Sequence, residues 1–109
     1  MSHTLSTHVL DTTLGQPARG MKLTLCSENG SVLAMAETNQ DGRFNDWPET
    51  AFPSGVYSLT FHTGDYLKEH HGKAFYPQAT ICFELSGSAA HYHIPLLISP
   101  FGYSTYRGS

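Results

Sequence analysis

The chain has 109 residues, with 6 Lys plus Arg, 9 Asp plus Glu and 7 His, and a formal net charge of -3 with His neutral. That length fits a single domain, residues 1–109, with a two-layer core and no room for a separate substrate domain. With no basic run and no apolar stretch of membrane-spanning length, neither nucleic acid nor a membrane is an expected partner.

In chain order the reading is almost entirely β. The opening MSHTLSTHVLDTT lacks the apolar core of a secretory leader, so a cytoplasmic location is expected. Leu5–Asp11 is β-branched and apolar, and it stops at the turn-rich Thr12–Pro17. On this strand His8 and Leu10 share one side, Val9 and Asp11 the other. Met21–Glu28 alternates, with Met21, Leu23 and Leu25 on one face. Asn29-Gly30 then supplies the positive φ angles of a tight primed turn, and Val32–Thr38 returns as its hairpin partner.

A second turn, Asn39-Gln40-Asp41-Gly42, delivers Arg43 and Phe44 onto a short extended piece, and Trp47–Gly55 reads as loop. Gly55–His62 is a strand with Tyr57, Leu59 and Phe61 on one face. Asp65–His71 is the one expected helix, capped at its start by Thr63 or Asp65 and stopped by Gly72. At two turns it must lie on a sheet to be stable. Gln78–Leu85 alternates again, with Ile81, Phe83 and Leu85 inward. Ser86-Gly87-Ser88 turns into the last long strand, Ala90–Ile98, and Tyr103–Tyr106 forms a short final one. Short strands separated by turns, with one helix, predict an all-β antiparallel sandwich. Cys26 and Cys82 form no CxxC and each falls within a strand, so buried thiols are expected, with a disulfide left open.

The polar residues that stand out are His8, Arg43, His91, His93 and the terminal Tyr106-Arg107-Gly108-Ser109. His91 and His93, at i and i+2 of a strand, point to one face. No phosphate loop, GxSxG elbow or HExxH occurs, and Asp11 and Asp41 read as turn or cap residues. Imidazole is then the natural acid-base group, and Arg43 the donor fork for a carbonyl or anion. The bland readings stand beside these. A terminal strand with a solvated His face needs no site, and His8 alone is an ordinary strand residue. His70 and His71 suit the negative end of a helix dipole, and His3 and His62 read as surface. Three imidazoles would suffice for zinc, although the sequence offers only the i, i+2 pair.

Three segments, STHVLDTTLGQPA, TNQDGRF and HYHIPLLISPFGYSTYRGS, closely resemble the 5-hydroxyisourate hydrolases, the transthyretin-related proteins. The resemblance spans His8 to Ser109, and its terminal YRGS separates hydrolases from hormone-carrying transthyretins. It implies a sandwich of two four-stranded sheets with one short helix, and a homotetramer built as a dimer of dimers. The implied reaction, in urate degradation, is hydrolysis of 5-hydroxyisourate to 2-oxo-4-hydroxy-4-carboxy-5-ureidoimidazoline. By position the family's functional residues fall on His8, Arg43 and His93 as catalytic groups, with His8, Arg43, Tyr106, Arg107 and Ser109 contacting substrate. No cofactor or resident metal is expected, because an Arg in the cluster disfavours a cation. The competing reading is a transthyretin-type carrier of an apolar ligand, for which a His/Arg lining is poorly suited.

Overall fold

A computed structural model describes residues 2–49 and 51–108. Two sheets face each other. One runs β4-β3-β7-β8, where β3 is Lys22–Ser27, β4 Val32–Glu37, β7 Gly55–Phe61 and β8 Ala79–Leu85, and every neighbour is antiparallel. The other follows the path β10-β9-β1-β2, with β1 at Ser2–Asp11, β2 at Gln16–Pro17, β9 at His91–Ser99 and β10 at Gly102–Thr105. Two short strands, β5 (Arg43–Phe44) and β6 (Phe52–Pro53), also pair with β1. The helix α1, Thr63–His71, follows β7. The expected all-β sandwich with one helix is therefore the observed architecture.

One pairing departs from the antiparallel expectation. β1 and β9 run parallel, from Thr4 beside His91 to Asp11 beside Ile98. Alternation within a strand encodes which residues face inward but not which strand lies alongside or in which direction. This parallel register sets Ser6 next to His93, and the antiparallel β1–β5 register sets His8 next to Arg43.

The inward faces supply the core. Leu5, Val9, Leu96 and Ile98 meet Leu23, Leu25, Leu59 and Phe61, all almost fully buried. Trp47 closes one end and donates its indole N–H to the Leu5 carbonyl at 2.8 Å. Its ring stands edge-on to both Phe44 and Phe52. Buried side chains of this size each contribute on the order of 1.5–3 kcal/mol. Ile81 and Phe83 also face inward but are only half-buried, because β8 is an edge strand.

Several local expectations change in the folded chain. The turn at Asn29-Gly30 carries positive φ at Gly30 alone. Gly30 N–H donates to the Ser27 carbonyl at 2.9 Å, and Ser27 N–H donates to the Ser31 carbonyl at 2.9 Å. This is a type I turn closed by a left-handed glycine, not the two-residue primed turn, and it matches the shift in register after Leu25. β1 begins at Ser2, because β6 forms within the expected loop and pairs with Ser2 and His3. His3 is consequently buried, with Nδ1 2.6 Å from the Ala89 carbonyl and Nε2 2.9 Å from Ser54 Oγ. The helix starts at Thr63 with no side-chain cap, while Gly72 ends it in the left-handed conformation as expected. Cys26 is half-buried and Cys82 exposed, contrary to the buried-thiol expectation. Both flank Ser58 on neighbouring strands of the outer face. Two strand spacings, roughly 9–10 Å, exceed the ~7 Å that a disulfide spans, and both thiols are free.

Asp11 and His71 also take roles that sequence spacing does not reveal. Asp11 Oδ1 accepts the N–H groups of Thr13 and Leu14, the expected turn role. Its Oδ2 reaches the helix, 2.9 Å from the Tyr66 hydroxyl and 2.7 Å from His71 Nε2. His71 is thus a largely buried tether and not a solvated dipole partner.

Candidate functional site

The outer face of the β10-β9-β1-β2 sheet carries the polar residues singled out in the sequence. Period-2 alternation along β1 sends Thr4, Ser6 and His8 outward, and along β9 it sends His91 and His93 outward. Arg43 joins them across the β1–β5 ladder. Its position depends on the turn before it. Asn39 Oδ1 accepts from the backbone N–H of both Asp41 and Arg43, at 2.9 and 3.0 Å. Gly42, with φ of 71°, then passes so close to β1 that an added Cβ would lie 2.5 Å from the Val9 carbonyl oxygen. Only glycine combines that backbone angle with that approach.

A cleft of about 420 Å³ opens here, lined by Ser6, Asn39, Arg43, Phe44, His91 and His93. His8 lies beside it, close enough to Arg43 and His93 for their charges to act on one another. Burial is the largest influence on the His8 imidazole and lowers its pKa. Arg43 lowers it further, outweighing the opposite pull of the Asp41 carbonyl and carboxylate. His93 is likewise held below the ordinary imidazole value by burial first, then by Arg43, His8 and His91, against a raising contact from the Ser6 carbonyl. Neutral imidazoles next to a permanent cation are what a general base at neutral pH requires.

The C-terminal tail lies against the same site. Gly108 N–H donates to the His93 carbonyl at 2.8 Å. A Cβ on Gly108 would sit 2.6 Å from His93 Cδ2, so the tail lies against the imidazole only because this residue has no side chain. Arg107 stacks over the Tyr92 ring with 4.6 Å between guanidinium carbon and centroid. Tyr106 and Arg107 line a separate, apolar hollow of about 210 Å³ with Phe83, Tyr92 and Ile94, which shares His93 with the cleft. Ser109 lies outside the described residues.

The structure thus brings together His8, Arg43 and His93 and sets Gly108 against His93, while Tyr106 lines the adjoining hollow and not the cleft. Sequence reasoning overlooked Ser6, whose hydroxyl bridges His91 Nε2 at 2.9 Å and His93 Nδ1 at 2.7 Å. A signal was present, since Ser6 is two residues before His8 on one strand face, but its partners come from a strand more than 80 residues away. Asn39 was legible only as a turn former. A larger hollow of about 650 Å³ beside α1 is lined by Arg19, Lys22, Glu37, Asp65 and Glu69. Its charged side chains are of mixed sign and exposed. No group of three or more His, Cys, Asp or Glu side chains among the described residues is arranged to hold a metal.

The profile of the HIUase/Transthyretin family matches residues 5–108. The chain is 44% identical to 5-hydroxyisourate hydrolase 2 of Rhizobium meliloti (strain 1021), over 96% of this chain and 95% of that protein. It is 43% identical to 5-hydroxyisourate hydrolase of Salmonella typhi, over 99% and 82% respectively. Among solved structures, Klebsiella pneumoniae 5-hydroxyisourate hydrolase superposes with a TM-score of 0.89 at 40% identity, covering 98% of this chain and 94% of that one. Transthyretin from Sparus aurata gives 0.87 at 28% identity, covering 96% of each chain.

Proposed function

This chain belongs to the HIUase/Transthyretin family, and on that premise we propose that it is a 5-hydroxyisourate hydrolase of urate degradation. It opens the substrate ring to 2-oxo-4-hydroxy-4-carboxy-5-ureidoimidazoline. The observation that carries this reading is the convergence of His8, Arg43 and His93 on one polar sheet face, together with similarity over nearly the whole of this chain to proteins of that name. The carrier reading requires an apolar lining, and the cleft offers imidazoles, a guanidinium and amide groups instead.

Chemically, water must attack a ring carbonyl, and its proton needs an acceptor at that moment. His8 and His93 form the water-activating pair, worth about 10²–10⁴-fold. Arg43 binds the carbonyl and stabilises the oxyanion that develops, worth about 10²–10³-fold for a donor of this kind. Tyr106 and Arg107, which line the hollow that shares His93 with the cleft, border the substrate site on that side. The working form is a homotetramer, in which assembly covers the free edges of β8 and β10 and the outer face bearing Leu10 and Leu97. Its place is the cytoplasm, where free thiols such as Cys26 and Cys82 persist. No helix among the described residues is long and apolar enough to cross a membrane.

The test is an assay with substrate generated fresh by urate oxidase, following loss of its ultraviolet band. Wild-type protein accelerates the decay, and Arg43→Ala and His93→Ala each lower kcat/KM about 10²-fold or more. Near wild-type rates in both variants would overturn the assignment.

A further inference from the structure

His93 has two ring nitrogens with different surroundings. Nδ1 lies 2.7 Å from Ser6 Oγ, and the Cδ2 edge faces Gly108. Among the described residues no side chain is hydrogen-bonded to Nε2, which makes it the nitrogen open to substrate and water. It can accept a proton only if the neutral ring carries its single proton on Nδ1.

The bonds beyond Ser6 bear on that choice. The Ser6 hydroxyl has one proton, shared between His93 Nδ1 and His91 Nε2 at 2.9 Å. The other nitrogen of His91, Nδ1, is 2.6 Å from Thr4 Oγ1. Thr4 Oγ1 donates in turn to the Ala90 carbonyl at 3.4 Å. A carbonyl oxygen can only accept, so the chain has a fixed end. In the arrangement in which the Thr4 proton goes to Ala90, Thr4 accepts from His91 Nδ1–H. A neutral His91 then has a bare Nε2, which takes the Ser6 proton, and Ser6 accepts from His93 Nδ1–H.

We infer that Thr4, His91 and Ser6 act as positioning residues that hold the proton of His93 on Nδ1, making His93 Nε2 the base that takes the proton from the attacking water. The titratable and charged groups around His93 are His8 on β1, Arg43 on β5 and His91 on β9. An N–H at Nε2 would add a positive edge beside Arg43, which has donors only, whereas a lone pair there is favoured. The bonds balance without rearranging the chain. Water oxygen bonds to the carbonyl carbon and its proton moves to Nε2, giving an imidazolium whose Nδ1–H still donates to Ser6. When the ring C–N bond breaks, the departing nitrogen takes the proton back from Nε2.

This inference rests on the hydrolase reading, so its test uses a readout that does not. In full-length protein labelled with ¹⁵N-histidine, long-range ¹H–¹⁵N correlation at a pH where the rings are neutral reports which nitrogen of His93 is protonated. The expected result is Nδ1 protonated and Nε2 bare in the wild type. Ser6→Ala and Thr4→Val shift the population toward Nε2–H, and Thr4→Ser restores it. Thr4 is exposed, so Thr4→Val tests the chain even if Ser6→Ala folds poorly. In the assay Thr4→Val lowers kcat about 5-fold, the population change worth one net hydrogen bond, leaves KM unchanged, and is rescued by Thr4→Ser. A wild type that turns over substrate with Nε2–H at His93, or a tautomer unmoved by both Thr4→Val and Ser6→Ala, overturns the inference alone. The expected tautomers without turnover would overturn the hydrolase reading and leave the hydrogen-bond chain standing.

Discussion

At the scale of single residues, the candidate site is shaped by charge and close approach. Burial and Arg43 hold His8 and His93 below the ordinary imidazole value of about 6.5. The base form is therefore present above those lowered values and is lost as pH falls through them. The acid limb of kcat/KM in the wild type should have its midpoint below 6.5. In Arg43→Ala one lowering influence is gone, so the limb of the residual activity should move to higher pH. A limb that stays in place would show that Arg43 does not act on these rings. Gly108 makes the second case. A methyl group 2.6 Å from His93 Cδ2 must displace either the ring, held by Ser6, or the tail. Gly108→Ala is expected to lower kcat by about 10-fold or more, since small misplacements of a catalytic group cost up to about 10²-fold. Its melting temperature should stay close to wild type, because residue 108 lies outside the core; unchanged kcat would show that the contact has no catalytic consequence.

At the scale of elements, α1 is too short to stand alone and is tied to β1 by Asp11. Burial works to raise the Asp11 pKa, but hydrogen bonds from His71, the Leu14 N–H and Tyr66 overcome it, and the net shift is downward. A depressed carboxylate pKa contributes stability that is full above the unfolded value of about 3.9. That stability is lost as pH falls through the lower folded value. Tyr66, in the same cluster, is raised by burial first and then by its bond to Asp11, so its hydroxyl stays a donor throughout the neutral range. Asp11→Ala would strand the Tyr66 and His71 donors at a destabilisation of roughly 3–5 kcal/mol. The measurement is the urea midpoint at neutral pH, with a gap between wild type and variant that narrows in acid. An equal midpoint at neutral pH would show that the tether contributes no net stability.

At the scale of the whole molecule, the sandwich leaves β8 and β10 as open edges, and Phe75, Phe101 and Tyr103 are exposed nearby. Such edges and apolar residues call for covering. Light scattering on purified protein should give four times the 12.0 kDa chain mass. Leu97→Lys places a charge on the outer face that also bears His93 and should reduce both assembly and turnover. A fully active monomer would remove any need for the tetramer.

Much of this protein follows from its residues taken in order. Alternation marked the core positions of β3, β7 and β8, glycines marked the turns, and the His8, Arg43 and His91–His93 segments carried enough identity to indicate chemistry. These are local signals, because strand periodicity and turn geometry involve residues only a few positions apart. The parallel pairing of β1 with β9 was not legible, and with it went the Ser6 bridge, since nothing in a strand's own pattern names its neighbour. The same limit hid the burial of His3 beneath β6 and the bond from His71 to Asp11, 60 residues away. The candidate site residues were thus legible locally. Which nitrogen meets which hydroxyl was decided only when distant strands were brought into register.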